Sequence, residues 1–152
     1  MRGKTIIVAA VATLLTVAAP TSFAALGQLQ SGGKVKVVIA GTNDRSAVTD
    51  GSLAGKGTFM ASGAITDKGA VLGYRRVKGD PSSADGALIT LRFVTKGKKG
   101  TITYVVKIDT KAGTSRWTIA SGTKAYKGLH GKGTESENAS FTVSTLRGTV
   151  SR

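Results

Sequence analysis

The sequence predicts an all-β fold: a single antiparallel barrel of seven to eight strands, with a β-sandwich as the alternative. Three observations carry this. After Ala24 no stretch places apolar residues at helical spacing, while alternating and β-branched runs recur along the chain. Glycine-bearing turns separate those runs at short intervals, so the connections are too brief for crossover helices. The chain has no cysteine, and closure into a barrel removes the sheet edges that an exported protein without cross-links would otherwise expose.

The first 24 residues read as a secretory signal peptide. Met1-Arg2-Gly3-Lys4 is a short basic start, and Ile6 to Ala19 is an apolar and threonine run ending at Pro20. That run is shorter than the ~20 residues that span a bilayer. Ser22-Phe23-Ala24 sets small residues where a signal peptidase reads, so cleavage is expected after Ala24. Neither a twin-arginine pair nor a cysteine accompanies the run, which points to the general secretory route without a lipid anchor. Residues 25–33 form a flexible N-terminal segment and residues 34–152 the barrel. The expected product is secreted, or otherwise extracytoplasmic, and has no membrane span.

Cleavage leaves 152 − 24 = 128 residues, the size of one domain. Stability must then come from packing and backbone hydrogen bonds alone. The whole chain has 22 basic and 8 acidic residues; without Arg2 and Lys4 the balance is 20 against 8, or +12. Such a charge draws a protein toward anionic surfaces.

Lys34 to Ala40 (KVKVVIA) is the first strand, followed by a polar loop through Asn43-Asp44-Arg45 and Thr49-Asp50-Gly51. Gly57 to Thr66 forms a hairpin with Ala70 to Lys78 through the Asp67-Lys68-Gly69 turn. Gly79 to Gly86 is an exposed loop. Ala87 to Thr95 and Thr101 to Asp109 form a second hairpin, with Ile89, Leu91, Phe93, Ile102, Tyr104, Val106 and Ile108 on its buried side. Thr90, Arg92, Thr103 and Lys107 then face water. Trp117 to Ser121 is a short strand, and a loop runs on to Ser136. Ser140 to Ser151 holds one or two more strands, with a bulge or corner near Thr145, because Phe141 and Val143 have the opposite parity to Leu146 and Val150.

The segment SGTKAYKGLHGKGTES, Ser121 to Ser136, has the glycines and lysines of a phosphate cradle but not their spacing. A P-loop needs a hydroxyl residue after Gly-Lys, and Gly131-Lys132 is followed by Gly133; Tyr126 stands where its first glycine belongs. Gly128, Gly131 and Gly133 reverse the dinucleotide-binding order, and no helix pattern follows. The pattern of Trp117, Ile119, Gly122, Thr123, Tyr126, Gly128, Gly131 and Gly133 resembles the repeated motif of the bacterial exported allene oxide cyclase and dirigent-like barrel superfamily, whose members include uncharacterised exported proteins. Gly57 to Gly69 is similar to a hairpin of the same proteins. The resemblance implies that Gly122, Gly128, Gly131 and Gly133 shape a barrel corner. Lys124 stands where the family usually has another glycine. The resemblance alone also implies an isomerase or cyclase activity.

Candidate chemistry is sparse. His130 is the single histidine, and with Glu135 or Glu137 it is the candidate proton-transfer pair at the barrel rim. The chain lacks further His or Cys ligands for a metal site, no nucleophile elbow is present, and no cofactor is expected. Arg75 and Arg76 are adjacent on one strand, so they point to opposite faces unless the strand already leaves the barrel at Tyr74. An inward arginine needs a carboxylate such as Asp67, Asp80 or Asp109, or an anionic ligand.

Two non-enzymatic functions follow. In the first, the barrel binds a small apolar or amphipathic ligand, with Arg75 or Arg76 on its head group and Tyr74, Phe93, Tyr104 and Trp117 along its body. In the second, the basic patches Lys96-Lys98-Lys99 and Lys124-Lys127-Lys132 adhere to anionic polymers of the cell envelope. Nucleic acid is not expected as a partner, because base stacking needs exposed aromatics and most of these sit on core faces.

Overall fold

Side chains alternate across a strand, so a chain of short-looped strands buries one row of each on a common side and closes when the first strand reaches the last. The computed structural model of the protein describes residues 32–43 and 50–152. The expected leader with its cleavage site, the segment up to Ser31 and the loop residues Asp44, Arg45 and Thr49 lie outside the described residues.

The elements are β1 (Gly33–Asn43), β2 (Asp50–Gly63), β3 (Asp67–Gly79), β4 (Ala87–Gly97), β5 (Gly100–Asp109), β6 (Thr114–Gly122), β7 (His130–Glu137) and β8 (Val143–Ser151), with one 3-10 turn at Lys124–Tyr126. Every strand pairs antiparallel with the next, and β1 pairs with β8, from Gly33↔Val150 to Ala40↔Val143. The eight strands make a closed barrel rather than a sandwich.

The predicted strands recur with longer bounds. Asp50 opens β2 instead of ending a loop, and β2 stops at Gly63 rather than Thr66. Two local expectations are corrected. Half of the expected loop Ser121 to Ser136 is β7, whose inward positions are Gly131, Gly133, Glu135 and Glu137, so no apolar alternation announces it. The bulge near Thr145 is absent: β8 runs in unbroken register from Val143 to Val150 against β1 and pairs regularly with β7. Its parity change has a simpler cause. Val143 lies on the outer face and Phe141 belongs to the preceding turn at φ 56°, while Ser144 takes the inward position.

The register is broken elsewhere, twice near Leu53 at the start of β2 and once in β6. Thr103 pairs with Ser121 but Tyr104 with Ile119, leaving Ala120 as the extra residue. Trp117, Ile119 and Gly122 therefore all turn inward, and the two-residue gap between Ile119 and Gly122 records the bulge.

Inside, Val37, Phe59, Val71, Phe93, Tyr104, Trp117 and Leu146 fill the middle of the barrel. Val35, Ile65, Ile102, Tyr126, Leu129 and Val150 plug the end where β1 begins and β8 finishes. A space beside the inward residues Ile39, Val71, Gly73 and Phe93 measures about 10 Å³, roughly the room of one water.

Candidate functional site

The residues expected around a lumen ligand are divided by the wall. Phe93, Tyr104 and Trp117 are buried and packed on one another, with Tyr104 and Trp117 edge to face at 5.8 Å. The Trp117 indole Nε1 donates to the Arg147 carbonyl at 3.1 Å. Tyr104 buries its hydroxyl without a hydrogen-bond partner, and burial pushes its pKa up. Tyr74 lies on the outside, where the Arg92 guanidinium stands 4.4 Å over its ring.

Arg75 and Arg76 do point to opposite faces. Arg75 has the parity of buried Val71 and Gly73 and is itself half-buried; Arg76 is exposed and donates from Nη2 to the Asp50 carbonyl at 3.4 Å. The polar groups that share the inner face at the end of the barrel near Arg75 are Ser115, Glu135, Glu137 and Ser144. Asp67 is at the other end, at the start of β3. Glu135, only 9% exposed, accepts from the Ser115 hydroxyl at 2.7 Å through Oε2, and its Oε1 has no partner. Ser144 donates to Glu137 Oε1 at 3.2 Å.

His130 and Glu135 are not brought together. His130 is exposed on the outer face, while Glu135 lies inside and five residues further along β7, about 16 Å at strand rise. Glu137 is farther still. Among the described residues no three His, Cys, Asp or Glu side chains converge as a metal site would require, and no helix is long and apolar enough to cross a membrane.

The glycine corner has a geometric account. A β-carbon on Gly122 would lie 2.1 Å from the Tyr126 carbonyl oxygen, and one on Gly131 would lie 2.9 Å from both Ile119 and Val150. One on Gly133 would lie 2.7 Å from the Trp117 Nε1. Gly128 takes φ 74°, and Lys124 adopts φ 52°, a conformation that favours glycine. The corner is pinned by Asp67, which the sequence suggested only as a turn residue and as a candidate partner for an inward arginine. Its Oδ2 accepts from the Tyr126 hydroxyl at 2.8 Å and from the Lys99 N–H at 3.3 Å; its Oδ1 accepts from the N–H groups of Lys68 at 2.9 Å and Lys98 at 3.3 Å. Partial burial raises its pKa, but these four donors outweigh it and hold the carboxyl below its usual range.

That pinning gathers charge. Ala125 N–H donates to the Lys99 carbonyl at 3.2 Å, which sets the β4–β5 turn against the 3-10 turn and merges the two predicted lysine patches at the plugged end. Lys68, Lys98, Lys99, Lys124, Lys127 and Arg152 are all exposed there, and Asp67, already satisfied, is the one carboxylate among the described residues of those turns. Lys132 faces outward on β7 and carries the charge up the wall. The opposite end is mixed, with Asp50, Asp80, Asp85 and Asp109 beside Arg76, Lys78 and Lys111. The cationic wall of β6, β7, β8 and β1 was missed as a unit, although Lys34 and Lys36 alternating with Val35 and Val37 already carried its signal.

No family model matches the chain, and no curated protein matches it. Fold and site together define a closed antiparallel barrel with a packed interior and one strongly cationic end.

Proposed function

We propose that the protein is a non-enzymatic adhesion module that binds anionic polymers through its plugged, cationic end. The observation that carries this is the convergence of Lys68, Lys98, Lys99, Lys124, Lys127 and Arg152 on one end of the barrel. Lysines held on tight, hydrogen-bonded turns form a standing field of one sign, whereas scattered lysines are screened singly. The basic start and apolar run of residues 1–24 support an extracytoplasmic setting, where wall and surface polymers are abundant polyanions. The packed lumen gives no support to a small amphipathic ligand, and the separation of His130 from Glu135 gives none to a proton-transfer enzyme.

Binding of the protein to an immobilised sulfated or phosphorylated polymer tests the proposal. Affinity should fall steeply as salt rises above about 0.1 M, where the screening length drops below ~10 Å. Neutralising Lys98, Lys99, Lys124 and Lys127 to glutamine should abolish it. Native mass spectrometry of the protein as its own host makes it should return the bare chain mass; a reproducible co-purifying amphiphile would overturn the assignment in favour of a lumen ligand.

A further inference from the structure

Above the plugged end, one wall of the barrel carries an ordered array of charge. Register places Arg116, Thr134, Arg147, Lys36 and Ser62 in one cross-strand row from β6 through β7, β8 and β1 to β2. The next row toward the plugged end is Thr118, Lys132, Thr149 and Lys34. All these side chains are on the outer face and exposed. Cations and hydroxyls nearly alternate in both directions: Arg116 stands over Thr118, Thr134 over Lys132, and Arg147 over Thr149. Neighbours in a row are about 4.8 Å apart, and diagonal neighbours about 7–8 Å. The outward positions of β6, β7, β8 and β1 include no carboxylate, because Glu135 and Glu137 both turn inward. The outer face of β1 forms the floor of an open bay of about 530 Å³ lined by Lys34, Lys36, Ser62, Arg147 and Thr149.

We infer that this bay takes the repeat unit of a phosphodiester-linked polyol or sugar polymer, an inference that rests on the polyanion reading above and names its chemical class. A phosphodiester shares one negative charge between two oxygens, which suit one cation and one hydroxyl donor, and the array offers such pairs along both rows. The polyol between phosphates brings hydroxyls of its own for Ser62 and Thr149. A polycarboxylate with anions at closer pitch would set every second one over a threonine. A nucleic acid would need aromatic platforms for its bases, and this wall has none: Trp117 and Tyr104 are buried, and Tyr74 is on the far side of the barrel.

The test compares three probes of matched charge, polyglycerol phosphate, polyglutamate and single-stranded DNA, on the full protein and its variants. Lys36→Gln with Arg147→Gln is expected to weaken polyglycerol phosphate binding at least tenfold. Lys78→Gln with Lys111→Gln, an equal charge change at the opposite end, should weaken it less than twofold. Thr149→Val alters no charge and should weaken polyglycerol phosphate about threefold while leaving polyglutamate unchanged. Near-ultraviolet circular dichroism establishes that each variant is folded. Equal losses for the two double variants, or polyglutamate or DNA binding as tightly as polyglycerol phosphate, would overturn the phosphodiester assignment and leave general polyanion adhesion standing. Failure of every probe to bind the unaltered protein at low salt would overturn both.

Discussion

The indole of Trp117 lies across Gly133, its register partner on β7, so closely that any β-carbon there would stand 2.7 Å from Nε1 and 2.0 Å from the Arg147 carbonyl that Nε1 binds. Gly133→Ala must push backbone or indole aside, and the obstructing atoms are not the ends of flexible side chains. A loss of about 3 kcal/mol is expected, read from urea unfolding monitored by the fluorescence of this single tryptophan.

Asp67 gives the protein an acid-sensitive corner. Its carboxyl titrates lower in the folded chain than in the unfolded one, so its contribution is complete above the unfolded pKa of about 3.9 and is lost as pH falls through the folded value. For a partly exposed carboxylate, solvent screening limits this to about 1 kcal/mol. Thermal melts from pH 6 to pH 2 should show the loss, and Asp67→Asn should flatten it. Tyr126→Phe should remove about 1 kcal/mol at neutral pH. An Asp67→Asn protein with the same acid profile as its parent would separate the corner from acid stability.

Tyr104 makes the opposite prediction. Its hydroxyl is buried without a partner, so Tyr104→Phe should stabilise the barrel by about 1 kcal/mol in chemical denaturation. At alkaline pH the sign follows from the raised pKa: the protonated hydroxyls of Tyr104 and Tyr126 are matched to the fold below pH about 10, and stability declines as pH rises beyond it. Tyrosinate absorbance should show these two ionising together with unfolding.

Lys124 occupies a left-handed conformation at the start of the 3-10 turn. Lys124→Gly should raise stability by up to about 1 kcal/mol by relieving its β-carbon. The same change removes one cation from the plugged end, so polymer affinity should fall while the melting temperature rises. This divergence separates the residue's two roles in a single variant.

The strands with apolar alternation were legible in the sequence. Ile89, Leu91 and Phe93 face inward against Ile108, Val106 and Tyr104, as their spacing indicated. β7 escaped notice because its inward positions are two glycines and two glutamates, and the fit of Gly133 depends on Trp117 from another strand. The apolar parity of Phe141 misled for a related reason: an exposed turn phenylalanine is indistinguishable in sequence from a core one. The lysine patches were visible singly. Their convergence depends on a long-range contact of Asp67 with the β4–β5 turn and Tyr126, for which local spacing has no signature.

The ring of strands has one junction unlike the rest. All but one of its pairings join strands adjacent in the chain, and the remaining pairing, β1 with β8, sets Gly33 beside Val150. Local hairpins can assemble independently and quickly, so closure of this long-range seam is the step left to finish folding. Tension applied between Gly33 and Val150 would meet the seam's hydrogen bonds one at a time from the plugged end, as in a zipper, whereas tension between Gly33 and Val143, at opposite ends of the same ladder, would load them together.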